Sequence, residues 1–174
     1  MKMKKLVIIA GLALVAGLAN AASVNWAVTG GTAAQVGYNV YLVTAIDSTW
    51  TSGADVAAAA ATLGTGTSGT IAKSGRNYMI NMTTASGDAI STTSMKNAYL
   101  VLVQSDSAKD YTYISADLSA NVFGETDSAK ETFGTTTAAL LAGTSANFAA
   151  VPEPTSGLLM LLGVAGLALR RRRA

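Results

Sequence analysis

The side chains able to do chemistry in this sequence are few and mostly of one kind. Histidine and cysteine are absent from all 174 residues, so neither a Ser-His-Asp nor a Cys-His nucleophile can form, nor an ordinary His/Cys zinc site. No Ser-x-x-Lys or Gly-x-Ser-x-Gly motif stands in for them. Carboxylates remain. Asp106, Asp110, Asp117, Glu125, Asp127 and Glu131 could supply a glycosidase pair or, with loop carbonyls, a calcium site. The first requires a defined separation between two carboxyls, and the second lacks the ligand spacing of an EF-hand loop. Solvated acids at loops and strand ends are the plainer reading, so the chain is expected to be non-enzymatic, without metal or cofactor. Two tryptophans offer ring faces to a sugar. Trp26 shares a face with Val24 and Val28 and reads as core, whereas Trp50 stands in a polar segment and is the candidate glycan contact.

Two further motifs carry less. Gly64-Thr65-Gly66-Thr67-Ser68-Gly69 spells the dinucleotide pattern, but that pattern must follow a strand and open a helix so that helix amides meet a pyrophosphate. Here a helical stretch precedes it and a strand follows, so a flexible loop is expected. Asn81-Met82-Thr83 is an acceptor sequon, discounted because it lies in an alternating run expected to be half buried.

The elements that would hold these residues are mainly strands. Ser23 to Thr29 alternates strictly, Val36 to Ile46 continues the pattern with an apolar middle, and a short strand is expected around Thr70 to Lys73. Arg76 to Thr84 alternates Tyr78, Ile80 and Met82 against polar neighbours, and a weak extended piece runs through Ile90. Lys96 to Gln104 is apolar on both faces, and a five-residue polar break joins it to Asp110 to Leu118 as an antiparallel hairpin. Val122-Phe123 and Thr132-Phe133 add short edge strands. Ser52 and Asp55 form a capping box for one alanine-rich helix over Val56 to Leu63, closed by Gly64. The expected fold is a mainly antiparallel β-sandwich with one short helix, spanning 22–134, followed by a Thr/Ala/Gly-rich linker over 135–151.

The two ends are of another composition. Met1 to Lys5 holds three lysines, Leu6 to Leu18 is apolar and glycine throughout, and Ala19-Asn20-Ala21 places small residues where a signal peptidase reads. Residues 1–21 are therefore expected to be a signal peptide, cleaved before Ala22. At the other end Pro152-Glu153-Pro154 precedes an uncharged stretch from Thr155 to Leu169, then Arg170, Arg171, Arg172 and Arg173. That stretch is apolar on every side of a helix, as lipid contact requires. It is short: a helix over 155–169 would be about 22 Å long at ~1.5 Å per residue, against a hydrocarbon core of roughly 30 Å.

In this order and at this position, the tail resembles the PEP-CTERM sorting domain, and the resemblance covers only about Val151 to Ala174. It implies that Pro152, Glu153 and Pro154 are the motif recognised by a membrane-embedded exosortase, a cysteine-dependent transpeptidase-like enzyme that processes the protein near it. The span of 155–169 would then be a transient membrane helix and 170–173 its basic end. The resemblance is silent on the upstream domain.

Charge agrees with export. Seven of the twelve basic residues lie in the two ends; between Ala22 and Ala150 five bases stand against nine acids, a net charge of −4. Nucleic acid, which demands clustered cations, is an unsuitable partner. Arginines flanking a span stay cytoplasmic, so Arg170 to Arg173 place the domain outside. The expectation is an exported, membrane-anchored protein of the cell surface or extracellular matrix. Its partners would be signal peptidase, an exosortase-type enzyme and membrane lipid. Exopolysaccharide binding through Trp50 is the alternative to a purely structural role. Without cysteine there is no disulfide framework, and about 130 residues must rest on their own core.

Overall fold

The computed structural model describes residues 21–104, 110–124 and 132–150. Its strands form two five-stranded sheets, and the fold is mainly β, as the alternating runs predict. β1 (Ala22–Gly31) buries Val24, Trp26 and Val28 completely and turns Asn25, Ala27 and Thr29 to the other face. It lies inside its sheet, antiparallel to β5 (Asn77–Gly87), which in turn pairs with the edge strand β4 (Ala72–Ser74). Along the other side of β1, β8 (Val122–Phe123) takes the first residues antiparallel, and β9 (Phe133–Thr136) takes Trp26 to Thr29 in parallel. The second sheet is antiparallel throughout, in the order β10 (Thr144–Asn147), β7 (Asp110–Ala116), β6 (Ala98–Val103), β2 (Asn39–Val43), β3 (Ser68–Thr70). β6 and β7 are the expected hairpin partners.

Val24, Trp26, Val28, Ile80 and Ala85 of the first sheet and Val40, Leu42, Leu100 and Leu102 of the second belong to one buried cluster, so the sheets pack face to face. The Trp26 indole N–H, which burial would otherwise leave unpaired, donates to the Gly66 carbonyl at 3.0 Å. The chain changes sheets between β3 and β4 at the fully buried Ile71, whose N–H donates to Tyr38 O at 2.8 Å and whose carbonyl accepts from Gly37 N at 3.0 Å. The one strand expected near Thr70 to Lys73 is therefore two, in different sheets, because Ile71 turns the corner into the core.

Several other expectations change. The helix over the capping box is present as α1 (Gly53–Ala61), but two single-turn helices join it, α2 (Thr92–Met95) and α3 (Thr137–Leu141). The extended piece expected through Ile90 is instead a turn after β5, and α2 follows it. Ser91 caps it, accepting from Ser94 N at 3.0 Å, and Met95 is drawn fully into the core. In β5 the register slips: Trp26 pairs with Thr83 and Val28 with Ile80, so two steps of β1 face three of β5. The extra residue reverses the alternation beyond Ile80, which leaves Met82 64% exposed instead of inward. Asn81, in the sequon, is exposed as well.

The linker expected over 135–151 is the largest correction. Residues 135–150 include the end of β9, all of α3 and all of β10, and they belong to the folded domain. Leu140 is fully buried in the core, and the buried Thr137 hydroxyl donates to Thr29 O at 3.2 Å. α3 thereby carries the chain from the first sheet to the edge of the second. The expected signal peptide, apart from Ala21, and the expected span over 155–169 lie outside the described residues. Among the described residues no helix is long and apolar enough to cross a membrane.

Candidate functional site

The expected site is the tail, and the structure describes the point at which the chain reaches it. β10 runs antiparallel to β7, from Thr144 opposite Tyr113 to Asn147 opposite Asp110. Next, Phe148 sets its ring on Tyr111 with centroids 4.8 Å apart, and the Ala149 N–H donates to the Trp50 carbonyl at 2.7 Å. The domain is thus held to within three residues of Pro152. Pro152, Glu153, Pro154 and Arg170 to Arg173 lie outside the described residues, as does Ala19. Ala21 immediately precedes the first strand residue, Ala22.

Trp50 is not an exposed platform. It is 6% exposed, and its ring meets Tyr111 edge-on at 5.7 Å. The reason lies in β2 and β6, which carry apolar side chains on both faces: Tyr41, Val43, Val101 and Val103 point away from the sandwich core and need a second cover. Val56 and Ala60 of α1, Trp50 and the half-buried Phe148 supply it. A ring used this way has no face left for a sugar, so the candidate glycan contact is withdrawn. The doubly apolar strands were the signal in the sequence that something large had to cover them.

The carboxylates do structural work. Asp55 accepts from the N–H groups of Thr51 at 2.6 Å and Ser52 at 3.1 Å and from the Thr51 hydroxyl at 2.8 Å, closing the start of α1. Asp47 accepts from the N–H and the hydroxyl of Thr49, both at 2.8 Å, in the turn before Trp50. Asp117 accepts from the hydroxyl and, at 2.9 Å, the N–H of Ser119. Each carboxyl is held below its ordinary range by these donors: the Thr51 and Thr49 N–H groups foremost for Asp55 and Asp47, the Ser119 hydroxyl foremost for Asp117. Burial pushes the Tyr111 hydroxyl up, with Tyr113 and Asp47 adding to it. Asp110 is exposed at the start of β7, while Asp106, Glu125, Asp127 and Glu131 lie outside the described residues. Among the described residues no three acids gather as metal ligands.

The glycine-rich loop is packed and not free. Gly64 and Gly66 take φ of +134° and +67°, and a Cβ on either would meet the backbone carbonyl of Ser86 or Thr84 at 2.0 Å. Thr65 exchanges backbone hydrogen bonds with Ser86 at 2.9 and 3.0 Å. The glycines let the loop lie on β5, and β3, not a helix, follows it, so no helix amides are offered to a phosphate.

No curated protein and no solved structure matches the chain. One family model does, and it covers the tail alone: residues 150–173 match the PEP-CTERM protein-sorting motif, so the segment that leaves the domain beside Trp50 is a sorting signal.

Proposed function

We propose that this chain is an exported β-domain delivered by its C-terminal sorting signal to the cell surface or extracellular matrix, where its role is structural and non-enzymatic. The match of residues 150–173 to the sorting motif carries the reading. Two features of the fold support it. Ala22, the residue after the signal-peptidase pattern, opens β1, so cleavage there would leave the sheet intact. At the other end the last described strand, β10, finishes at Asn147, so removal of the tail from Pro152 onward would cost none of the described strands.

In this reading Pro152 and Pro154 keep the motif extended, because proline fixes φ and disfavours helix at the residue before it. Glu153 is presented to the exosortase-type enzyme, the span of 155–169 holds the protein at the membrane until processing, and Arg170 to Arg173 keep the far end cytoplasmic. Changing Pro152-Glu153-Pro154 to three alanines should leave export intact and abolish processing, read as a mature protein that keeps its tail. Mass spectrometry of the wild-type protein from its host decides the matter: a C terminus still at Ala174 would overturn the reading.

A further inference from the structure

We infer that, until the tail is processed, one pole of the domain lies against the lipid headgroups. This is the pole formed by the Asp47–Trp50 turn, the start of β7 and the Phe148–Ala149 exit. The inference rests on the membrane-anchoring reading of the tail and follows from chain length. Ala149 is bonded to Trp50, and the uncharged stretch begins at Thr155. Six residues reach at most about 20 Å when fully extended, at ~3.3–3.6 Å each. A domain of this size is roughly 35 Å across, more than the tether spans, so the exit side is held nearer the bilayer than the side opposite it. Two prolines within it limit folding back further.

The surface at this pole suits contact without insertion. Ser48, Thr49 and Thr51 are exposed hydroxyls, and Asp47 and Asp110 are exposed carboxylates. Such groups can hydrogen-bond with headgroups, and charged groups are kept out of hydrocarbon. The apolar side chains beside them, Trp50 and Tyr111, are buried in the second cover and are not offered to lipid. The opposite pole is marked by the far end of β7, where Leu118 N donates to Met95 O at 2.9 Å beside α2. From Tyr111 to Ala116 it is about 17 Å along β7 at ~3.3 Å per residue.

The absence of cysteine allows a direct test. Ser48→Cys and Thr93→Cys, both at exposed positions on opposite poles, are labelled with a fluorophore in the chain with its tail intact. The chain is bound to phosphatidylcholine vesicles containing headgroup-quencher lipid. The Ser48 label should be quenched several-fold more than the Thr93 label, and a twenty-residue Gly/Ser insert between Ala150 and Val151 should erase the difference. Equal quenching at the two positions, or stronger quenching at Thr93, would overturn the inference while leaving the anchor in place. A difference that survives the insert would overturn the tether as its cause. Failure to float with vesicles would instead remove the anchoring reading on which the inference stands.

Discussion

The outer faces of the two sheets are built on opposite plans. On the second sheet, Tyr41, Val43, Val101 and Val103 turn outward and are sealed under α1, Trp50 and Phe148. On the first, Asn25, Thr29, Asn81, Met82 and Thr84 face outward without a cover among the described residues, and the Thr84 hydroxyl donates to Asn25 Oδ1 at 2.8 Å across the strands. The first sheet has one dry face and the second has two. Stability should therefore be concentrated on the covered side, where the chain also leads into the sorting motif, while the bare side tolerates change.

Trp50→Ala tests that difference hardest. Removing a buried indole from between Tyr111 and α1 should cost about 3–5 kcal/mol, read as a lower urea midpoint with little change in slope. A loss under about 1 kcal/mol would mean that the cover is not a core.

A smaller effect is expected from the cap of the covering helix. Asp55→Ala removes the acceptor of three hydrogen bonds at the start of α1 and should lower the urea midpoint, by less than Trp50→Ala does. The same group predicts a pH dependence. Its folded-state pKa is lowered, as is that of Asp47, so their stabilisation is fully present above the unfolded value of about 3.9 and is lost as pH falls through the folded one. Thermal midpoints should drop below about pH 4, and less steeply in Asp55→Ala than in wild type. Parallel curves would show that Asp55 contributes nothing through its charge. Smallest of all is Thr84→Ala on the bare face, expected within about 0.5 kcal/mol of wild type by denaturant unfolding. A larger loss would mean that the polar face is also structural.

Local pattern made β1, the β6–β7 pair and the α1 cap legible from the sequence, because alternation and capping residues act between near neighbours. It failed where a distant partner decides. The residues on either side of β5's bulge alternate like those of a regular strand, yet one extra residue sends Met82 outward. Thr135 to Ala150 is small and polar, with the composition of a linker, and gains its structure from backbone pairing to β1 and β7 and from one buried leucine, Leu140. Trp50 was placed by its polar neighbours at the surface, though the apolar outer faces of β2 and β6 required a cover. The sorting motif was legible for the opposite reason: the match over residues 150–173 is written in consecutive residues and needs no distant partner.

β1 is the first described strand, and it sits inside its sheet. Its neighbours come from residues 77–87 on one side and from 122–123 and 133–136 on the other. An N-terminal strand of this kind cannot complete its pairing until nearly the whole domain has been made. Any stretch of chain emerging earlier has a strand with no mate along at least one edge, so premature folding is disfavoured by the connectivity itself. Under the export reading proposed above this delay is useful: the fold closes only after β9 has followed β1 across, on the side where the finished domain belongs.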